Sequence, residues 1–218
     1  MKYLPLLLPL ALLIAGSHAL ADEADGVLVV NGCRIEQGSQ CPGADLSKAD
    51  LSNQDLRKMN LAGANLDGAN LRHARLDLAN LEKARMRNAN LTRATLQQTN
   101  LRLADLSGSK LVAINGWALF GQAATLNGVD LSAANLEFAR LSGAKLQGAN
   151  LRASNLEMTW LSKADLKGAD LTDANLQEVK LSDANLENAT LSGTRKHYAT
   201  FQDTNMDGCT DCPSDWQN

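Results

Sequence analysis

Ala64-Asn65-Leu66-Asp67-Gly68-Ala69-Asn70-Leu71-Arg72-His73-Ala74-Arg75-Leu76 places a Leu at every fifth residue and an Ala two places before each. The frame extends outward in both directions, from Leu46 to Leu111 and again from Leu126 to Leu191. Each block holds 14 such positions, and Met86 is the one exception to Leu. Ala fills 20 of the 28 places two residues earlier, and Asp or Asn fills 18 of the places between. Agreement on that scale makes the repeat the governing feature of the chain.

A period of five fits neither regular element. On an α-helix five residues advance about 500°, so successive Leu are offset by roughly 140° and line no single face. On a flat strand an odd period sends them to opposite faces. The pattern buries Leu consistently only if the chain turns once per repeat, each repeat forming one side of a closed coil. Leu and the preceding Ala then point inward. The Asp or Asn between them and the two residues after Leu face solvent, and Gly, Asn and Asp at the second of those two places suit tight turns.

The run A-[DN]-L-x-x, carried by residues 44–206, resembles the pentapeptide-repeat proteins. The resemblance implies an all-β chain folded as a right-handed quadrilateral β-helix, four repeats per coil, with short caps at both ends. Seven or eight coils at a spacing of about 4.8 Å give a rod of roughly 35 Å. Such a solenoid is held by nearest-neighbour stacking. A thin Leu–Ala core also explains an aromatic content of only 4%.

Between the Leu blocks, Gly116 and Gly121 occupy Leu positions, while Ile114 and Leu119 replace the small Ala. Trp117 and Phe120 lie in the same stretch. An irregular break at 112–125 is expected, either a distorted core repacked around these rings or a loop bulging from the rod and available for contact. Val27 to Ile35, with an Asn31-Gly32 turn signal, reads as an extended N-terminal cap within 22–43. The irregular end after Cys209 reads as a C-terminal cap, 207–218.

Four Cys in an exported chain suggest two disulfides with three possible pairings. In the rod that the resemblance implies, the two ends are too far apart for a disulfide, whose Cα atoms must approach within about 7 Å. That rod therefore pairs Cys33 with Cys41 and Cys209 with Cys212, and it excludes a single zinc site shared by all four.

Residues 1–21 read as a secretory signal peptide: Met1-Lys2, an apolar run to Ala15, and Ala19-Leu20-Ala21 as the cleavage motif. The run is short for a bilayer and is interrupted by Pro5 and Pro9, so no membrane span is expected after cleavage. Loss of Lys2 takes the formal charge of −3 to −4. The expected location is the periplasm, with secretion or a thylakoid lumen as alternatives.

The 218 residues carry 21 Lys and Arg against 24 Asp and Glu. That balance leaves no basic stripe, so no nucleic-acid partner is expected. Of three His, His18 lies in the leader, and His73 and His197 are a thin stock for acid–base catalysis. Cys209-x-x-Cys212 lacks the βαβ context of a redox pair. Asp203-x-Asn205-x-Asp207-Gly208 opens like a calcium loop, but Ser214 stands where its bidentate Glu belongs. Neither catalytic residues nor a cofactor or metal are expected.

Residues twenty apart stack on neighbouring coils, so Phe138 lies beside Met158, the column continues through Glu178 to Tyr198, and Trp160 is two residues past Met158. This group is the expected partner-binding patch. The function expected is a non-enzymatic exported scaffold or protein-binding module with a partner in the cell envelope, with a homodimer also open. The alternative comes from the resemblance: some pentapeptide-repeat proteins protect type II topoisomerases by presenting a DNA-like acidic rod. Export and the outward Arg75, Arg85, Arg87, Arg93, Arg102 and Lys110 weigh against it.

Overall fold

Each five-residue unit has five backbone amides that must find acceptors, since unpaired polar backbone in a packed structure is costly. Residues 66–70 show how all five are satisfied. The Leu66 and Gly68 amides donate to Arg85 and Arg87 carbonyls on the next coil, at 2.6 and 2.8 Å. The Asn70 amide donates 2.9 Å to the Ala49 carbonyl on the previous coil. Ala69 closes a turn onto the Leu66 carbonyl at 3.0 Å. The fifth amide, of Asp67, donates 3.2 Å to Oδ1 of Asn65.

The Asp/Asn position therefore has a structural task. Its side chain takes the one amide that neither the turn nor the neighbouring coil can use, as at Asp50–Ser52, Asp130–Ser132 and Asn185–Glu187. Where Asn follows, its Nδ2 also donates along the rod, Asn70 to Asp50 and Asn100 to Asn80 for example. The sequence reading leaves these places free to vary at the solvent. They are instead rungs of side-chain ladders.

The computed structural model describes Leu20–Ala21 and residues 26–214. The expected signal peptide lies outside the described residues except for Leu20–Ala21, strand β1, which pairs antiparallel with β2 (Leu28–Val30). β2 turns through Asn31 and Gly32, both at positive φ (48° and 80°), into β3 (Cys33–Arg34), as a two-residue hairpin of type I′ requires. Cys33 is bonded to Cys41 with Cα atoms 5.7 Å apart, tying this hairpin to the first coil. No helix among the described residues is long and apolar enough to cross a membrane.

From there the chain winds as a right-handed quadrilateral β-helix. Each side contributes one bridging residue, paired in parallel with the residue twenty positions on. Four columns result, beginning at Gln40, Asp45, Asp50 and Asp55, here faces one to four. Face one runs in eight steps from Gln40 to Thr200, about 38 Å at the spacing of paired strands. The turn joining two sides needs φ > 0 at its third residue, which Gly68 supplies without strain, but Leu78, Phe138 and Met158 also adopt it. The core is a column of fully buried Leu flanked by Ala.

Two expected boundaries move. Bridges run from Gln40 to Thr210, so the coils begin before residue 44 and continue past 206 into the segment read as a cap. The irregular break at 112–125 is absent: Lys110, Asn115, Phe120 and Thr125 bridge Asp130, Asn135, Arg140 and Lys145 without interruption. The reason is a reciprocal exchange of volume. A Cβ added at Gly116 would meet Leu119 Cδ2 at 2.5 Å, and one at Gly121 would meet Leu141 Cδ2 at 2.7 Å and Leu119 Cδ1 at 3.3 Å. Leu119, set at an Ala position, together with Leu136 and Leu141 of the next coil, fills what the two glycines vacate. A residual void of about 10 Å³ remains among Leu101, Ile114, Leu119, Gly121 and Leu141. Trp117 and Phe120 stay outside this core, half-buried on the surface.

The C-terminal end closes on Cys209–Cys212, with Cα atoms 5.8 Å apart. Lys196, at a Leu position on the last coil, leaves the turn regular and donates from Nζ to the Asp211 carbonyl at 2.7 Å.

Candidate functional site

Face one changes character halfway along the rod. Its bridging column reads Asn60, Asn80, Asn100, then Phe120, Arg140, Trp160, Lys180. The first part keeps the Asn ladder, with Asn80 donating to Asn60 and Asn100 to Asn80. The second part abandons it for four successive coils. No side chain accepts the amides of Gln122, Ser142, Ser162 and Ser182, which follow these residues. On the other faces a missing Asx is sometimes replaced, Asp67 taking the amide of Arg87 and Asp77 that of Gln97, and sometimes not, as after Arg75, Lys110, Thr125 and Thr190. What sets face one apart is that the role is given up at four consecutive rungs of one column.

What stands in its place is a stack of rings and cations. Arg140 lies 5.4 Å from the Phe120 ring centroid and 5.9 Å from that of Trp160, and Arg102 lies 4.9 Å from Phe120 on the other side. A cation over a ring face within about 6 Å is attracted by the ring quadrupole. At the adjoining corner Trp117 meets Phe138 edge-to-face, centroids 5.9 Å apart. Trp160 is 55% exposed and Phe138 41%. On the opposite margin Ser142, Ser162 and Ser182 keep the surface low, so the rings stand clear of it.

The structure thus merges two groups that the sequence keeps apart. Phe138, Met158 and Trp160 were expected as a patch, and Trp117 and Phe120 as loop contacts; all five share one corner and face. Tyr198 does not join them. It lies two coils beyond Met158, with Glu178 between, and packs on His197 at a centroid distance of 4.0 Å. Arg140 and Arg102 are the members that the sequence reading missed, although positions 120, 140 and 160 differ by one coil each.

Elsewhere Leu78 and Leu103 are the exposed large aliphatic side chains among the described residues, and many charges are paired within or between coils. Asp67 lies against both Arg87 and Arg85. The hydrogen bond from Arg87, reinforced by Arg85, holds its carboxyl at about 2 against the opposing effect of partial burial. Arg57 and Arg75 flank Asp55, Arg152 pairs with Asp170, and Lys167 with Glu187. Among the described residues no three His, Cys, Asp or Glu gather to hold a metal. In the calcium-like stretch, Asn205 is committed to the ladder, donating to Asn185 and accepting from the Asp207 amide.

The family signature described as pentapeptide repeats matches in 8 copies, at residues 44–82, 79–108, 122–157, 130–168, 161–193 and 175–210. No curated protein matches the chain in sequence. Among solved structures, HetL, a pentapeptide repeat protein involved in heterocyst differentiation regulation from the cyanobacterium Nostoc, is 32% identical over 79% of this chain and 87% of its own, with a TM-score of 0.47. QnrB1, a plasmid-mediated fluoroquinolone resistance protein, is 16% identical over 82% of this chain and 90% of its own, with a TM-score of 0.64, a likeness of fold. A pentapeptide repeat protein from the Arabidopsis thaliana thylakoid lumen is 32% identical over 50% of this chain and 68% of its own, with a TM-score of 0.24.

Proposed function

The chain belongs to the pentapeptide-repeat family, and we propose that it works as an exported, non-enzymatic binding module that docks a protein of the cell envelope on face one. The observation that carries this reading is the surrender of four ladder rungs to Phe120, Arg140, Trp160 and Lys180. Trp and Arg are among the residue types most enriched at the energetic centres of protein interfaces. Rungs are lost on other faces to Arg, Lys or Thr, but only this column gives up four in succession to large rings and cations, which supports a use other than folding.

Two features support this reading over a DNA-like rod. Carboxylates that would imitate phosphates are neutralised in place, Asp67 by two guanidiniums and Asp55 by two more. The face with exposed rings is lined by cations. Export is proposed on the leader-like first 21 residues, and two disulfides suit an oxidising compartment.

The test is in-cell cross-linking of the tagged chain beside a Phe138→Asp/Trp160→Ser variant. An envelope protein captured by the native chain and lost by the variant is the expected result. Capture unaffected by the variant removes face one from the proposal, and capture of a cytosolic topoisomerase overturns both the location and the function.

A further inference from the structure

The central column of face one is self-complementary when reversed. From 120 to 180 it reads ring, cation, ring, cation, in steps of one coil. Turned end for end, Lys180 lies on Phe120, Trp160 on Arg140, Arg140 on Trp160 and Phe120 on Lys180. We propose that the occupant of this face is a second copy of the chain, bound antiparallel about a two-fold axis that crosses face one between the coils of Arg140 and Trp160. The proposal rests on the reading of face one as a docking surface and names its partner.

The flanking columns agree with this register. The corner column holds Ala118, Phe138, Met158 and Glu178. The same two-fold sets Phe138 against Met158 of the second copy, a favourable sulfur–aromatic pairing. On the other margin Ser142 meets Ser162, and Gln122 meets Ser182, so small residues oppose small ones and the raised rows can close. Such a contact is isologous: residue i meets j, and j meets i. A parallel arrangement about an axis along the rod is disfavoured by charge, because it sets Arg140 on Arg140 and Lys180 on Lys180. Electrostatic complementarity therefore fixes the direction as well as the register.

Arg140 and Trp160 are the central contacts. Arg140, which faces both rings, and Lys180, the next rung after Trp160, are exposed, and neither is in an ion pair with a carboxylate among the described residues. The overlap runs from Asn100 to Thr200, about 24 Å along the rod, on a face only one coil side wide. That footprint falls at the small end of specific interfaces, so the dimer is expected to dissociate in the micromolar range (Kd on the order of 10 µM).

Sedimentation velocity of the purified chain, from about 1 to 200 µM to bracket that range, tests the proposal. The informative variants are Trp160→Asn, which restores a ladder residue and so keeps the fold, and Arg140→Glu. The native chain is expected to dimerise with concentration, and each variant to weaken the association at least tenfold. Register is read by disulfide trapping: Gln122→Cys mixed with Ser182→Cys cross-links, whereas either variant alone does not, its two sulfurs lying about three coils, or 14 Å, apart. A native chain that is monomeric throughout, a dimer indifferent to both variants, or self-cross-linking of a single Cys variant overturns the proposal. A monomer that still captures an envelope protein through Trp160 sinks self-pairing alone and leaves the docking surface standing. A monomer with no Trp160-dependent capture sinks both.

Discussion

Replacing Leu119 with Ala tests whether the rod passes through 112–125 by exchange of volume. Leu119 is 3% exposed, and its two methyl groups occupy space that side chains at positions 116 and 121 would otherwise fill. The substitution removes three carbons, about 2.4 kcal/mol of transfer free energy at roughly 0.8 per carbon. The two flanking glycines have nothing to swing inward, their amides are pinned to the Asn135 and Arg140 carbonyls at 2.7 and 2.8 Å, and the bordering Leu136 and Leu141 are themselves buried in the Leu column. The void therefore persists, adding about 24 cal/mol for each Å³ retained, and the total is expected near 4–5 kcal/mol, the upper part of the Leu→Ala range. Gly121→Leu alone overpacks the same space, a loss of about 1–3 kcal/mol. Combined with Leu119→Ala it restores the ordinary frame, so the pair should recover at least ~2 kcal/mol relative to the sum of the single effects. Urea unfolding of all four proteins, followed by far-ultraviolet dichroism, gives the cycle. A loss below about 2 kcal/mol for Leu119→Ala, or strict additivity of the two substitutions, would refute the exchange.

Trp160→Asn regains an acceptor for the Ser162 amide, about 1 kcal/mol, against the loss of an exposed cation–ring contact of about 0.5–1 kcal/mol. Stability measured by thermal unfolding should be equal to or above that of the native chain, and a clear drop would show that the ring serves folding. Asp67 is held at about 2 in the folded chain, below its ordinary 3.8, so its contribution is present above pH 3.8 and lost as pH falls through about 2. After allowance for solvent around the two arginines it amounts to about 1 kcal/mol, and Asp67→Asn should flatten the acid limb of stability between pH 4 and 2. Cys41→Ser opens a short disulfide loop worth about 2–3 kcal/mol. Hydrogen exchange should accelerate over residues 28–46 and stay unchanged beyond the second coil, whereas global acceleration would contradict nearest-neighbour stabilisation.

The frame of Leu and Ala makes the coil readable directly, because a period of five admits no helix and no flat strand. The boundary at 112–125 is misread because Gly at a Leu position and Leu at an Ala position each look like a defect. Only the distances from Leu119 to both glycines show them as one compensated change. The Asp/Asn position is misread for another reason: it is partly exposed, as a variable surface residue would be, yet it answers to an amide two residues along the chain. Without that rule the loss of Asn at 120, 140, 160 and 180 has no meaning in the sequence. The union of Trp117 with Phe138 depends on the corner geometry, while that of Phe120 with Trp160 follows from counting in twenties. Tyr198 fails to join because two coils and Glu178 intervene.

Pairing at intervals of twenty makes the rod an indexing device, in which chain length between two points decides which way a side chain points. Losing five residues between Phe120 and Arg140 would leave the Leu core in frame, yet bring Lys145 over Phe120 and send Arg140 and Trp160 a quarter-turn around the axis. Losing twenty would return every later residue to its own face one rung lower. Insertions and deletions that conserve the core are thus graded by their effect on the surface. Only whole coils let the length of such a protein drift while the inscription on each of its sides stays legible.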